Sequence, residues 1–411
     1  MNHSRRNLTL ASFGAVQLVA LCGDRLKQFS LVSMMGLLAP GDSVQLLKLT
    51  LFSQVPILLL TPLAGVLIDR WNKPATIIGA CVARCVLLLA VPAFYARSGS
   101  IDAFFAAALI LSVFDLMFAP ARSALLPEVV SADRLLATNA TFWALGIAGT
   151  LLGFVGGGFL FDYFSWETSL LADSLIYAAA AILMLPVLLT HRTPPGMTPG
   201  PARTLRGGLS FFATSLRDAG LLLRESRDLR ASLLVQCGIF AVGGFMSVIG
   251  IAHVQQAAPP GHALFLAQVG ASLIGGLLAG SALAGWFRER TLPARTVGVG
   301  AMLCGVAVAG IGRTESLVPM CIWSAVLGTA LSPAFIVTET LIQHASPRTF
   351  TGRVFAAREA LIKAAYIAAA VAGTALNQAV SQTSLLVGLG LFLALLGVIL
   401  ERTPWLKLEK P

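Results

Sequence analysis

Within the apolar stretch from Leu8 to Ala39, the run "LCGDRLKQF" holds Asp24, Arg25 and Lys27. The chemistry such a group supports is proton uptake and release, because the proton affinity of a buried carboxyl changes when a neighbouring cation approaches or leaves. On a helix, Asp24, Lys27 and Gln28 share one face, with Arg25 at its margin and Leu26 and Phe29 pointing away. A structural reading fits the same spacing. Asp24 and Lys27, three residues apart, would then neutralise each other and lock their helix to its neighbours.

A second stretch, "GRVFAAREALIKAAYIAAAVAGTALNQ", sets Glu359, Lys363, Tyr366 and Asn377 near one helical stripe, with Arg358 beside it. Glu359 and Lys363 stand in the favourable i, i+4 order, which suits a self-contained ion pair as well as a contact to a solute. Arg84 and Asp115 lie near the middle of their own apolar segments and either pair with each other or line a cavity. Asn139 and Trp143, four apart, offer a polar group and a ring. The first candidate for proton exchange is Asp24, with Asp115 and Glu359 in reserve. Candidates for solute contact are Arg25, Lys27, Gln28, Arg84, Arg122, Asn139, Trp143, Arg358, Lys363, Tyr366 and Asn377. Arg122 and Glu339 fall toward the inner end of their segments, and Asp173 toward the outer.

The elements that position these residues are set by composition. The 411-residue chain is 56% hydrophobic and 12% charged, with mean hydropathy +0.82. A soluble globule needs a more polar surface than that. Apolar segments of about 20 residues, each able to cross about 30 Å of hydrocarbon as a helix, recur along the whole chain. Twelve are expected, over 10–38, 45–68, 75–96, 102–126, 137–161, 168–190, 231–252, 263–286, 293–312, 317–342, 352–378 and 383–400. The first is too long in its apolar part for a signal peptide and is expected to be retained. Strands are excluded, since open sheet edges go unsatisfied in lipid and no period-two alternation occurs.

Of the 29 Lys and Arg, about 20 fall on one side if the N-terminus is inside, only Lys48, Arg97 and Arg313 fall on the other, and the rest lie within spans. Both termini are therefore expected in the cytoplasm of a bacterial inner-membrane protein. The formal charge of +10 follows from this topology and implies no nucleic-acid partner. The expected organisation is an N-terminal six-helix bundle over 1–190, a Pro/Gly-rich cytoplasmic linker with a basic amphipathic helix over 191–230, and a C-terminal six-helix bundle over 231–411.

The six cysteines all lie in apolar spans without metal-ligand spacing, so no metal or cofactor is expected. A membrane enzyme is disfavoured, because no phosphate-binding Gly-x4-Gly-Lys-Ser/Thr loop, no HExxH and no His with an Asp five residues on is present. A non-transporting scaffold would have no use for charges at mid-membrane.

The halves resemble each other. "TPLAGVLIDRWNKP" is echoed by "SALAGWFRERTLP", and "FAPARSALLPEVV" by "LSPAFIVTETLIQH". Parallel repeats of this kind imply a pseudo-two-fold axis along the membrane normal. "GVLIDRWNK" further resembles the loop signature of the major facilitator superfamily through Gly65, Leu67, Asp69, Arg70 and Lys73, with Asn72 in place of a glycine, expected in a left-handed turn. "GTLLGFVGGG" resembles the superfamily's exporter motif through Gly149, Gly153, Gly157 and Gly158, with Phe154 in place of its proline. The run Pro120 to Ala140 resembles the branch containing macrolide exporters, siderophore exporters and the lysophospholipid transporter.

The resemblance implies an all-α integral membrane protein with the major facilitator fold, two pseudo-symmetric bundles rocking about a midplane site, and a gating set of Gly65, Asp69, Arg70, Lys73, Glu128, Gly352 and Arg353. In that set Asp69 would face the N-terminus of span eleven, where free backbone N–H groups favour an anion. It also implies a monomer in the lipid bilayer that exports an amphipathic small molecule against protons. The other possibility is a lysophospholipid, whose phosphodiester would meet Arg122, Arg25 or Arg84.

Overall fold

The computed structural model describes residues 3–68, 71–130, 135–190, 226–259, 261–287, 293–345 and 351–402. These form α1 (His3–Leu38), α2 (Ser43–Ile68), α3 (Lys73–Ser98), α4 (Asp102–Val129), α5 (Leu135–Tyr163) and α6 (Trp166–Thr190) in the first half. In the second half, α7 runs Arg227–Phe245, passes through a π-helical turn at Met246–Gly250 and continues as Ile251–Ala257. It is followed by α8 (Ala263–Phe287), α9 (Pro293–Gly312), α10 (Leu317–Ala345), α11 (Thr351–Asn377) and α12 (Gln382–Arg402). No strand occurs among the described residues. Among the described residues eleven helices are long and apolar enough to cross a membrane, α2 through α12; α1, with 36 residues, carries Asp24, Arg25 and Lys27.

The helix starts have local causes. Asp42 Oδ1 accepts from the Val44 amide at 2.8 Å and opens α2. Ser226 accepts from the Leu229 amide and opens α7 at Arg227, a turn earlier than the expected 231. Asn72 departs from expectation. Its φ of −65° is not left-handed; its side chain caps α3 by accepting from the Ala75 amide at 3.0 Å, with proline in the first turn. The carboxamide satisfies an otherwise free helical donor, which outweighs any tendency of Asn toward a left-handed turn. The expected linker and surface helix lie outside the described residues as far as residue 225.

The chain divides into two compact units, one of Met1–Met34 with Leu51–Phe211 and the other of Met35–Thr50 with Phe212–Pro411. In the first, α3 packs against both α4 and α6, and the Tyr95 and Phe104 rings each meet Trp166 edge-on and touch each other at a tilt. In the second, α9 lies along α12 and α8 along α10. That unit also holds the turn between α1 and α2, where Gln382 donates to the Gly41 carbonyl at 2.9 Å and Asn377 to Ser43 Oγ at 3.0 Å.

Candidate functional site

Four helices of the first unit bring their charges to one point. Lys27 Nζ on α1 reaches both oxygens of Asp115 on α4, at 2.7 and 2.8 Å. Arg84 on α3 bridges two acids, with Nη1 3.3 Å from Asp24 Oδ1 and Nη2 3.0 Å from Asp115 Oδ1. It also donates to the Phe114 carbonyl at 2.9 Å. Tyr177 on α6 donates its hydroxyl to Asp24 Oδ1 at 2.6 Å. The guanidinium lies 5.0 Å from the centre of the Phe118 ring and 5.1 Å from that of Tyr177. Arg84 is completely buried and Lys27 nearly so, whereas the Asp24 and Asp115 side chains are 25% and 29% exposed.

Charge sequestered in this way persists only when paired and hydrogen-bonded, and both cations are. Asp24 and Lys27 stand 3.7 Å apart, but each has a closer partner elsewhere. The pair inferred from their spacing is thus one edge of a larger lattice. The polar stripe also splits: Lys27 turns inward to Asp115, while exposed Gln28 accepts from Arg25 at 2.9 Å.

α6 contributes Asp173 and two residues that sequence reasoning passed over, Ser169 and Tyr177. Ser169, Asp173 and Tyr177 stand at i, i+4 and i+8 and are all completely buried. Ser169 shares a 2.7 Å hydrogen bond with Ser30 of α1. Asp173 was expected nearer the outer face. Its carboxyl lies against Gly23, where a Cβ would come 3.2 Å from Oδ1, beside Asp24 in the bundle. The period-four polar stripe in "SLLADSLIY" was the available signal.

α5 fixes how α1 presents these groups. Gly149 and Gly153 face the α1 backbone at Leu18, Cys22 and Leu26; a Cβ on Gly149 would stand 2.6 Å from the Leu18 carbonyl oxygen. Gly157 faces Leu26 and Phe29, and Phe154 meets Phe29 edge-on. Contact of backbone on backbone allows no side chain between the helices. Leu26 and Phe29 are thereby buried toward α5, and the charged face of α1 is turned to α3, α4 and α6.

The second unit has a smaller cluster. Arg358 on α11, buried, donates Nε to Gln236 of α7 at 2.5 Å and lies 2.7 Å from Glu339 of α10 and 2.6 Å from Glu359. Gln236 in turn donates to Glu339 at 2.9 Å. Phe335 and Phe355 lie within 6 Å of the guanidinium. Glu359 therefore engages the arginine beside it. Tyr366 sits where Gly244 lets α7 close onto the α11 backbone, and Asn377 is held at the far end by Ser43.

A family model described as Major Facilitator Superfamily matches residues 17–314. The chain belongs to the major facilitator superfamily. Two similar relatives, each called an uncharacterized MFS-type transporter, come from Mycobacterium bovis and Mycobacterium tuberculosis. Each is 25% identical over 340 residues, covering 78% of this chain and 74% of the relative. Among solved structures, the nucleoside transporter NupG superposes with a TM-score of 0.71 at 12% identity, over 96% of this chain and 99% of that one. The peptide transporter POT in complex with sulfate gives 0.73 at 10% identity, over 95% and 93%. These likenesses establish the fold of an integral membrane transporter.

Of the superfamily's gating set, Lys73 Nζ pairs with Glu128 Oε1 at 2.6 Å, joining the start of α3 to the end of α4. Asp69 and Arg70 lie outside the described residues, as do the side chains of Asn139, Trp143, Gly352 and Arg353. Gly65 falls within α2 and Gly158 within α5. Arg122, half-buried on α4, donates to Gln17 Oε1 of α1 at 2.6 Å, and Gln17 donates onward to the Phe142 carbonyl of α5 at 3.4 Å. Lys363 is half-buried on α11, four residues beyond Glu359.

Proposed function

We propose that this superfamily member is a monomeric, proton-driven exporter of an amphipathic small molecule in a bacterial inner membrane, with both termini cytoplasmic. The observation that carries this reading is the ion lattice of Asp24, Lys27, Arg84 and Asp115 on α1, α3 and α4. Intramembrane charge is expensive to insert, and a lattice whose acids stay partly exposed while its cations are buried suits exchange of protons with water better than simple cross-bracing. The glycine stripe of α5 and its likeness to the exporter motif support the direction, and the excess of Lys and Arg in the loops on the N-terminal side supports the topology. Transport then proceeds by alternating exposure of a midplane site, with protonation of the lattice shifting the balance between its states.

The test is uptake into inverted membrane vesicles under an imposed pH gradient, with a panel of amphipathic drugs and lysophospholipids run in parallel. A proton-driven exporter accumulates a drug inside and loses that accumulation when the gradient is collapsed. Uptake indifferent to the gradient would remove proton coupling.

A second reading, movement of lysophospholipid across the membrane, is favoured by Arg122. It is a half-buried cation held by a neutral glutamine, and so remains suited to a phosphodiester, which guanidinium binds through two parallel hydrogen bonds. In the same vesicles this reading expects transfer of lysophospholipid, its loss in Arg122→Gln, and no response to the drugs.

A further inference from the structure

Asp173 is the one acid among the described residues whose two carboxyl oxygens are both buried without a hydrogen-bond partner. The side chain is completely buried. Its charged and titratable surroundings are Cys22, Asp24 and Lys27 from α1, Arg84 from α3, Asp115 from α4 and, on its own helix, Tyr177. α5 carries only Asp162 and Tyr163, both in its last turn.

Charge balance decides the state of this acid. Two cations, Lys27 and Arg84, already face two carboxylates, Asp24 and Asp115, at 2.7 to 3.7 Å. An ionised Asp173 would add a third anion with no donor to receive it. Burying such a charge costs far more than burying a neutral carboxylic acid, so the neutral acid is the form this conformation accepts.

The cluster also contains the means of changing that state. Lys27 is the cation with a flexible stem, and Asp115 keeps Arg84 at 3.0 Å if Lys27 leaves it. The ammonium lies 5.9 Å from the centre of the Tyr177 ring, one helical turn from Asp173. Gly23, lacking a side chain, lets the carboxyl pack directly against α1, the helix that carries Lys27.

We propose that Asp173 is a proton-carrying site of this transporter, loaded in the conformation described and unloaded when Lys27 passes from Asp115 to Asp173. In the unloading step the O–H bond of Asp173 breaks, its electron pair stays on the carboxylate, and the proton leaves to water beside the partly exposed Asp24 and Asp115. Lys27 supplies the compensating charge, and nothing is oxidised or reduced. This deepens the proton-driven reading, on which it rests, by assigning the load to α6 where Asp24 was the first candidate.

Infrared difference spectroscopy of the purified, membrane-reconstituted protein reads the proton directly and requires no known substrate. The stretch of a protonated carboxyl should be present at neutral pH in the parent, lost in Asp173→Asn and retained in Asp24→Asn. In the parent it should fade as pH rises while the protein remains folded. In Lys27→Gln, which removes the compensating cation, it should persist to higher pH. A parent with no such band, or a band unaltered by Asp173→Asn, overturns the proposal. A band that belongs to Asp173 but does not fade at any pH short of unfolding also overturns it, because the acid is then a permanently neutral packing group. Because Asn preserves the shape of the neutral acid, Asp173→Asn is expected to keep the parent's melting temperature; should it fail to fold, the pH dependence of the band in the parent and in Lys27→Gln decides. Gradient-independent transport by the parent in the vesicle assay, with the infrared result intact, would remove the proton-driven reading and leave the protonation of Asp173 standing.

Discussion

The two units treat buried charge differently. In the first, two buried cations are shared between two carboxylates by three helices, with a third carboxyl set behind them on α6. In the second, a single buried arginine gathers Gln236, Glu339 and Glu359; Glu359 reaches outward, with 52% of its side chain exposed, while Glu339, at 23%, is as covered as the acids of the first. Both units retain a glutamine on their first helix that accepts from an arginine: Gln17 from Arg122 and Gln236 from Arg358. The arginine comes from the fourth helix of the first unit and from the fifth helix of the second. A glutamine–arginine clasp thus occurs in both units on non-equivalent helices, whereas the extended ion lattice belongs to the first unit alone among the described residues. A charge arrangement found in one repeat only is better suited to driving a cycle than to building the shared scaffold.

The largest expected effect comes from Arg84→Met. It leaves Asp24 and Asp115 to share one ammonium in a buried setting and should cost about 3–5 kcal/mol, read as a steep loss of folded protein on size-exclusion chromatography. Arg84→Lys should recover little, since one ammonium does not span two carboxylates and the Phe114 carbonyl. In the second unit Arg358→Met should cost about 2 kcal/mol, because the half-exposed Glu359 is readily hydrated when released. A larger loss from Arg358→Met than from Arg84→Met would reverse the comparison.

Gly153→Ala places a methyl group against the α1 backbone and should cost about 1–3 kcal/mol in thermal unfolding. Gly244→Ala, against the Tyr366 carbonyl, should match it, since close packing, unlike charge, is common to both units. The smallest effect is expected from Lys73→Gln. The pair is largely buried, with both side chains 13% exposed, but the glutamine amide can still donate to Glu128, so a change of about 1–2 kcal/mol in unfolding is anticipated.

Much of the fold was legible because the bilayer imposes a length and a polarity on each span. The twelve expected segments coincide with helices to within a few residues, except that α1 starts seven residues before the expected 10 and α7 extends beyond both ends of the expected 231–252. The lattice was half-legible. Asp24, Lys27, Arg84 and Asp115 announce themselves as charges in hydrocarbon, but which acid meets which cation depends on how α1 rotates against α3 and α4. That rotation is set by Gly149 and Gly153 and by the Leu26 and Phe29 face packed on α5. The burial of Asp173 was not legible because sequence position along α6 gives depth but not what packs beside it, here Gly23 of α1. Gln17 and Gln236 were passed over because a lone amide in an apolar run gives no charge signal. The capping role of Asn72 was masked by its place in a motif where glycine is usual.

The most direct test of the division between the units is gradient-driven uptake into inverted vesicles by Asp173→Asn and Glu359→Gln, measured side by side with a drug the parent accumulates. Asp173→Asn should lose gradient-driven accumulation while still exchanging drug across the membrane, and Glu359→Gln should keep its response to the gradient. Accumulation unchanged in Asp173→Asn but abolished in Glu359→Gln would place proton coupling in the second unit and contradict the assignment.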